Sequence, residues 1–201
     1  MAIHLLLEGL DFSGKTSAAN NYAKNSSTIY QVNYSKLTEQ NPFHDFATEM
    51  AKKGIYNSAV TGKLYLAGII HDILSYKDDE TQIIQDSTVA TKSLAYHIVR
   101  ETPYVIEELH DLLEKYPKPK YSYYLYADIS TRIERMHKRM KEDPYSVTPT
   151  DLVLIKDPKM FEKQEEILRE ISMNHFNSRF LDTTNMSELD VLKILQKETA
   201  T

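Results

Sequence analysis

The sequence predicts an α/β fold with three layers, in which a parallel sheet of about five strands carries helices on both faces. An apolar run at residues 3–8 leads into a glycine-containing loop and then into helical sequence at residues 17–24. Strand-like and helix-like segments alternate along the rest of the chain, which is typical of a parallel sheet. The 201 residues are 41% hydrophobic and no Pro/Gly/Ser-rich linker divides them, so we expect a single domain over residues 1–201.

Local sequence predicts the second strand and the helix that follows it. Residues 28–34 alternate and are rich in β-branched and aromatic side chains, which favours a strand. Asn41 followed by Pro42 is typical of a helix N-terminus, because asparagine caps free amides and proline is tolerated in the first turn. Gly54 favours the left-handed conformation that ends helices. We therefore expect a helix from Pro42 to about Gly54.

The middle of the chain predicts two helical regions around a short strand. A helix is expected over residues 58–76, and a strand over residues 81–86. Helical sequence follows, interrupted at Pro103 and ended at Pro117 and Pro119. The apolar periodicity of the first helix predicts a buried face formed by Val60, Leu64, Ala67 and Ile70 or His71.

The last part of the chain predicts two more strands and three helices. Residues 121–127 form a tyrosine-rich strand, and Ser130 is expected to cap the helix that follows. Residues 179–182 form the final strand. Ser187, with Asp190 three residues later, resembles a capping box at the start of the last helix. The helix between these strands is expected to bury Met160, Phe161, Ile167, Leu168 and Ile171.

Residues 142–157 are the strongest candidate for a long functional loop. The segment has little periodicity, contains Pro144 and Pro149, and is followed by Pro158. Long aperiodic connections inside a compact domain are often functional, and loops that close over a bound substrate exclude water from the reaction. We expect this segment to be a lid.

Residues 9–16 have the pattern G-x-x-x-x-G-K-T of a phosphate-binding loop, and they lie between a predicted strand and helix as the pattern requires. The two glycines let the backbone turn so that successive N–H groups surround an oxyanion, and the helix N-terminus adds partial positive charge. Lys15 is expected to contact the β- and γ-phosphates, and the Thr16 hydroxyl to ligate Mg²⁺. The predicted nucleotide-binding residues are Gly9, Leu10, Asp11, Phe12, Ser13, Gly14, Lys15, Thr16 and Ser17.

Composition excludes several other classes of function. The formal net charge is −5, so we expect no broad electrostatic attraction to nucleic acid. There is no cysteine, hence no disulfide and no thiolate metal site. No basic leader precedes the first strand and no apolar run approaches the length of a membrane span, which predicts a cytoplasmic protein. A homodimer is compatible with these features.

Two further features place charged groups near the phosphate loop. Arg132, Arg135 and Arg139 recur at spacings that put them on one face of a helix, before the predicted lid. Arg135 and Arg139 are the candidates to supply positive charge to a migrating phosphoryl group, whereas a solvated basic face is the alternative. Asp86 ends a predicted strand at the edge of the sheet where ligands bind. It is expected either to hold Mg²⁺ through water or to accept a proton from an acceptor hydroxyl. The alternative is that it caps the next helix.

Residues 7–16, L-E-G-L-D-F-S-G-K-T, closely resemble the opening of thymidylate kinases, which typically read E-G-x-D/E-x-x-G-K-T/S. Weaker similarities keep the family's order at residues 64–67, 83–97 and 119–139. The resemblance implies a P-loop kinase that uses ATP and Mg²⁺. It also implies that Asp11 contacts a sugar hydroxyl of the acceptor and that Tyr65 contacts its base. Tyr96 and His97 are further acceptor-binding residues that the resemblance implies. A turn aspartate and a core aromatic residue are the alternatives for the first two.

The acceptor half departs from the same family. Ser87 stands where the family has an arginine that holds the acceptor's phosphate, and Ile69 where an arginine reads the base. After the second strand only Lys36 is basic, which makes it the remaining substrate-binding candidate there. Because serine cannot replace a bidentate guanidinium, we expect TMP to be a poor acceptor.

The expected function is transfer of the ATP γ-phosphoryl group, with Mg²⁺, to a nucleotide, a nucleoside or another small hydroxyl compound. The candidate catalytic residues are Lys15, Asp11, Asp86, Arg135 and Arg139, and Thr16 and Asp86 are the candidate metal ligands. The alternative is a catalytically weakened nucleotide-binding module that binds ATP without phosphorylating an acceptor. Acceptor-dependent ADP release distinguishes the two.

Overall fold

A five-stranded parallel sheet lies at the centre of the protein, which confirms the predicted fold class. The computed structural model describes residues 4–53, 58–77, 81–143, 146–147 and 151–199. The strands are β1 (His4–Glu8), β2 (Gln31–Tyr34), β3 (Ile83–Asp86), β4 (Tyr121–Tyr126) and β5 (Arg179–Asp182). Their spatial order is β2–β3–β1–β4–β5, and every neighbouring pair is parallel. The carboxyl ends of all the strands therefore meet at one edge, where ligands bind in such sheets.

Helices connect the strands and cover both faces of the sheet, as parallel connections require. In chain order, those that the described residues form are α1 (Lys15–Lys24), α2 (Pro42–Lys52), α3 (Ser58–Ser75), α4 (Val89–Val99), α5 (Ile106–Lys115), α6 (Ile129–Glu142), α7 (Val153–Lys156), α8 (Pro158–Phe176) and α9 (Glu188–Thr199). A single 3₁₀ turn at Pro103–Val105 precedes α5, at the predicted interruption.

The central strand β1 is buried along its whole length because both faces of the sheet are covered. Leu5 and Leu7 pack on one side with the buried residues of α1 and α9. Leu6 packs on the opposite side with residues of α3, α4 and α5. The alternation of neighbouring side chains between two cores explains why the sequence of this strand is apolar without interruption.

Two of the predicted helix caps are confirmed. The Asn41 side chain accepts a hydrogen bond from the backbone N–H of His44 at 3.0 Å, and Pro42 opens α2. Before α9, the N–H of Asp190 donates to the Ser187 hydroxyl and the N–H of Ser187 donates to the Asp190 carboxylate, both at 3.2 Å. This reciprocal pair satisfies two free amides of the helix end. The predicted end of α2 at Gly54 lies outside the described residues.

The predicted cap of α6 is wrong: Asp128 caps the helix, and Ser130 does not. The Asp128 carboxylate accepts the N–H of Thr131 at 2.7 Å, and the Ser130 hydroxyl donates to the same carboxylate at 2.9 Å. A carboxylate is favoured there because the helix N-terminus carries partial positive charge. Two strands are also shorter than predicted: β2 begins at Gln31 and β3 at Ile83.

The predicted buried face of α3 is wrong as well. Val60 and Ile70 are 48% and 43% exposed, whereas Leu66 and Ile69 are buried. The helix is apolar around most of its circumference, so the spacing of apolar residues does not identify its core face. That face instead includes Asp72, which is fully buried because its carboxylate satisfies groups of the loop after β2. The donors are the N–H groups of Leu37 and Thr38, the Thr38 hydroxyl and the Asn41 amide.

The predicted lid at residues 142–157 lies partly outside the described residues, since residues 144, 145 and 148–150 are not described. Its C-terminal part contains the short helix α7, which the sequence analysis does not predict. Leu154 on α7 is fully buried and belongs to the same apolar cluster as Leu10 of the phosphate loop. Closure of this segment over a nucleotide stays a prediction. Separately, no helix within the described part of the chain has the length and apolar character needed to cross a lipid bilayer.

Candidate active site

The loop between β1 and α1 has the backbone conformation that its glycines predict. Gly9 and Gly14 have φ angles of 138° and 97°, which residues with a side chain rarely adopt. A Cβ atom at Gly9 would also lie 2.3 Å from the carbonyl oxygen of Leu125 on β4. The first glycine is therefore required by its φ angle and by the close approach of the neighbouring strand, and the second by its φ angle.

Three consecutive carbonyl groups of this loop accept hydrogen bonds from outside it. The carbonyls of residues 11, 12 and 13 accept from Arg132 Nη1, Arg135 Nη1 and Thr183 Oγ1, at 2.9, 3.1 and 2.9 Å. The N–H and C=O groups of a planar peptide point in opposite directions, so these bonds turn the following amides towards the other side of the loop. Amides arranged in this way form a concave site for an anion.

Lys15 is buried under the loop, with only 6% of its surface exposed. Its ammonium donates to the carbonyl of Leu10 at 2.8 Å and lies 3.5 Å from the Ser13 hydroxyl. Desolvation, with repulsion from Lys92, lowers the pKa of Lys15 to about 8. The side chain is therefore still charged at neutral pH, and it is poorly solvated in the absence of an anion.

Thr16 of the phosphate loop contacts Asp86 at the end of β3. The Thr16 hydroxyl donates to the Asp86 carboxylate at 2.5 Å. Parallel pairing places Asp86 opposite Leu7, so the carboxylate reaches the edge at which the loop begins. A hydroxyl and a carboxylate are hard oxygen ligands and fit Mg²⁺. Within the described residues no three acidic or histidine side chains form a metal site of their own, so water and nucleotide oxygens would supply the remaining ligands.

Glu8, the last residue of β1, holds the start of α4 against the phosphate loop. Its carboxylate accepts hydrogen bonds from the Ser87 hydroxyl at 2.8 Å, the Thr88 N–H at 2.8 Å and the Thr91 hydroxyl at 2.7 Å. Burial raises the pKa of Glu8, although these three donors oppose the rise. The contacts fix the backbone that follows Asp86. Glu8 is not recognisable as a positioning residue from the sequence, because its donors lie about 80 residues later.

Lys92, on the first turns of α4, is a second charged residue that the sequence analysis missed. It lies within electrostatic reach of Asp11, Asp86, Glu8 and Asp151, and these carboxylates raise its pKa against the effect of burial. Burial alone would raise the pKa of Asp11, but nearby cations outweigh it and hold that pKa below its ordinary value. In decreasing order of their effect on the pKa of Asp11, these cations are Lys92, Lys15, Arg132 and Arg139.

A cavity of about 610 Å³ opens beside the loop, on the side of α6 and α9. The predicted loop residues from Asp11 to Ser17 line it, together with Arg135 and Arg139. Arg135 is half-buried and also donates to the carbonyl of Thr183 at 2.8 Å. Arg139 is exposed, and it forms no hydrogen bond or ion pair in the part of the chain that the structure describes. The two arginines therefore differ: the first supports the loop, and the second is available to a ligand.

Four predicted acceptor-binding residues lie away from this cavity. Lys36 is bound to both carboxylate oxygens of Asp45, at 2.9 and 3.1 Å. The Tyr65 ring packs against His44, which agrees with the alternative of a core aromatic residue. Further along α4, the Tyr96 ring lies under the Arg100 guanidinium, and His97 Nδ1 lies 2.6 Å from the Thr102 hydroxyl. These contacts give the side chains structural partners, and contact with an acceptor stays a prediction.

We expect Arg139→Met to lower kcat by about 10²-fold with little change in the melting temperature. A free guanidinium that stabilises charge on a transferring phosphoryl group acts mainly in the transition state. Arg135→Met is the matched variant: it removes hydrogen bonds to residues 12 and 183, so it should weaken nucleotide binding and lower the melting temperature. Steady-state ADP release and thermal melting separate the two effects. Equal losses of stability in both variants would contradict the assignment.

Comparison with known proteins gives structural matches only. No protein-family model matches the chain, and no curated protein matches it in sequence. The chain is similar in structure to thymidylate kinase from Candida albicans, with a TM-score of 0.73 at 16% identity, over 99% of this chain and 91% of that one. It is also similar to deoxyadenosine kinase from M. mycoides with bound dATP, with a TM-score of 0.66 at 15% identity, over 99% and 100% of the two chains. The structure of the same enzyme with bound dCTP gives a TM-score of 0.63 at 15% identity, over 98% of this chain and 99% of that one. The chain has a thymidylate kinase-like P-loop kinase fold.

Proposed function

We propose that the chain is a cytoplasmic kinase that transfers the γ-phosphoryl group of ATP, with Mg²⁺, to a nucleotide, a nucleoside or a related small acceptor. The observation that carries this proposal is the 2.5 Å contact between Thr16 and Asp86, beside the buried Lys15. It brings a hydroxyl, a carboxylate and an ammonium together where β1 ends and α1 begins. Phosphoryl transfer needs mainly positioning and neutralisation of charge, and these three groups supply both.

On the donor side, the loop amides and Lys15 would bind the phosphates of the nucleotide. The ammonium would exchange its contact with the Leu10 carbonyl for phosphate oxygens, which are better partners for a poorly solvated cation. Bound Mg²⁺ would neutralise charge on the phosphates, with Thr16 and Asp86 holding it. The exposed guanidinium of Arg139 lines the same cavity and would stabilise charge on the transferring group.

On the acceptor side, Asp11 and Asp86 are the candidate carboxylates, since both lie within electrostatic reach of Lys15. Nearby cations hold the pKa of Asp11 low, so its carboxylate is ionised at neutral pH and is an acceptor for a hydroxyl proton. Orientation of that hydroxyl is the larger contribution, since little proton transfer is needed in a loose transition state. Burial of Leu154 near the loop supports a role for the 142–157 segment in excluding water.

The test is acceptor-dependent ADP release, measured with ATP and a panel of nucleosides and nucleotides, with Mg²⁺ or with EDTA. We expect ADP release to require both an acceptor and Mg²⁺, and to fall to the background rate in EDTA. The alternative, a nucleotide-binding module, predicts that a non-hydrolysable ATP analogue binds while no acceptor stimulates ADP release. Binding of the analogue by calorimetry in the same buffer makes this outcome recognisable.

A further inference from the structure

The two sides of the phosphate loop differ in the charges that they offer to a ligand. The cavity beside α6 contains exposed cations, Lys138 and Arg139, and suits the donor triphosphate. The opposite side, towards the ends of β1 and β3 and the start of α4, contains Glu8, Asp86 and Lys92. An acceptor must approach from this second side, because the donor occupies the first and displacement at phosphorus is in line.

The residue at position 87 forms its hydrogen bonds within the protein. Ser87 directly follows Asp86 at the end of β3, and its side chain is fully buried. Its hydroxyl donates to Glu8 at 2.8 Å, and its N–H donates to the carbonyl of Leu7 at 2.8 Å. The φ angle of 71° holds the side chain in this direction. The residue beside Asp86 therefore offers neither charge nor a free donor to an acceptor.

The other cations near the acceptor side are already bound within the protein. Lys36 is held by both oxygens of Asp45. Arg100 stacks on Tyr96, with its guanidinium carbon 3.7 Å from the ring centroid, and donates to the Gln164 side chain at 3.1 Å. Release of either side chain to bind a phosphate would break contacts that the folded protein makes. Neither is therefore a preorganised phosphate anchor.

In the part of the chain that the structure describes, Lys92 is the remaining cation on this side, and carboxylates outnumber it. Asp11, Asp86, Glu8 and Asp151 all lie within its electrostatic reach. Lys15, Arg132 and Arg139 also act on Asp11, but Lys15 and Arg139 line the donor cavity and Arg132 pairs with Glu165. Even if the buried Glu8 holds a proton, Asp86 and Asp151 therefore outnumber Lys92 on the acceptor side. The field at the acceptor side is therefore negative, which disfavours a dianionic phosphate and leaves an uncharged molecule unaffected.

We propose that the acceptor is an uncharged hydroxyl compound of the nucleoside class, and that nucleoside monophosphates are poor acceptors. The inference rests on the proposed kinase function and names its substrate class. The acceptor hydroxyl gives its proton to the Asp11 carboxylate, its oxygen forms a bond to the γ-phosphorus of ATP, and the bond from that phosphorus to the bridging oxygen breaks, so that its electron pair leaves with ADP. Lys92 then acts as a counter-charge that keeps Asp11 and Asp86 together near the reacting hydroxyl.

The test compares matched acceptors that differ only in their phosphate. Thymidine, deoxyadenosine, deoxycytidine and deoxyguanosine are each compared with the corresponding 5′-monophosphate, by kcat/KM for ADP release with ATP and Mg²⁺. For the preferred base we expect the nucleoside to exceed its monophosphate by at least about tenfold, which is the lower limit for a missing charge-assisted partner. A monophosphate that is the better substrate, TMP included, would overturn the proposal.

A binding measurement separates this proposal from the proposed function. The same pairs are titrated by calorimetry into the protein saturated with a non-hydrolysable ATP analogue and Mg²⁺. Nucleoside binding without ADP release would contradict the kinase activity and leave the acceptor class supported. Tighter binding of monophosphates, or no binding by either class, would overturn the acceptor class whatever the activity.

Lys92→Met tests the role given to that lysine, and Lys63→Met is the control. Lys63 is exposed and pairs with Glu108, and neither residue lines the cavity beside the loop. If Lys92 is a counter-charge, its replacement makes the field more negative, but the additional rise in KM for the monophosphate over the matching nucleoside stays below about tenfold, because no phosphate contact is removed. A loss of about tenfold or more that is confined to the monophosphate would show that Lys92 anchors an acceptor phosphate, and would contradict the proposal.

Discussion

Replacing Lys15 with alanine is expected to abolish phosphoryl transfer while the fold remains intact. The ammonium lies under the phosphate loop, where it would contact the phosphate oxygens that gain charge in the transition state. Removing one such group from a preorganised site typically lowers kcat by about 10²–10³-fold. We expect at least this loss in acceptor-dependent ADP release.

The fold should tolerate this change because Lys15 contributes little to stability. Burial lowers the pKa of its ammonium to about 8, which means that the folded protein holds the charge less favourably than water does. Its loss therefore removes a poorly solvated cation, and the melting temperature should change little. Lys24→Ala, at the exposed end of the same helix α1, is the matched control and should retain full activity.

The same pKa predicts a dependence on pH that only the wild-type protein shows. The charged form of Lys15 predominates below about pH 8 and is lost as the pH rises through that value. Affinity for a non-hydrolysable ATP analogue should therefore fall above about pH 8 in the wild type, while Lys15→Ala binds weakly at every pH. Turnover near the wild-type level in the variant, together with an unchanged pH profile, would contradict the phosphate-loop assignment.

Local chemistry explains why much of the fold is predictable from the sequence. The phosphate loop, its flanking strand and helix, and the alternation of strands with helices depend on residues close together in the chain. The Asn41 and Ser187 caps are equally local, and both are observed. The order of the strands is not predicted in this way, because the rules for parallel connections limit the possible orders without selecting one.

The predictions that fail depend on partners distant in the sequence. The core face of α3 includes Asp72, whose hydrogen-bond donors lie more than 30 residues earlier. Glu8 is surrounded by donors about 80 residues later. Lys92 has no motif to identify it, because its significance comes from carboxylates on other elements. Periodicity and spacing cannot detect such contacts.

The second large effect is expected at Arg132, which the sequence analysis grouped with the arginines of the lid region. Arg132 is 1% exposed. Its Nη2 lies 2.8 Å from Oε2 of Glu165 on α8. The two groups form an ion pair, but their angles are not those of a hydrogen bond. The guanidinium also donates to the carbonyls of Ala127 at 2.6 Å and Asp11 at 2.9 Å. It thus joins α6 and α8 to the phosphate loop, and it is a positioning residue.

We expect Arg132→Met to destabilise the protein by about 3–5 kcal/mol, the usual cost of leaving one member of a buried ion pair without its partner. In a domain of this size that loss corresponds to a fall in melting temperature of roughly 6–20 °C. The exposed pair between Arg179 and Glu198, at 2.6 Å, provides the control. Arg179→Met should change the melting temperature only slightly, because solvent screens exposed pairs.

A double variant shows whether the unpaired carboxylate is the cause. In Arg132→Met/Glu165→Met the buried charge is absent, and Tyr124 retains an acceptor, since its hydroxyl lies 3.2 Å from the carbonyl oxygen of residue 165. The double variant should therefore be more stable than Arg132→Met alone, because replacing a whole buried pair with apolar side chains is often neutral. Nucleotide affinity should remain low in both, since each lacks the hydrogen bond to the Asp11 carbonyl. If stability is additive across the cycle, the loss arises from packing around Arg132 and not from the isolated charge of Glu165.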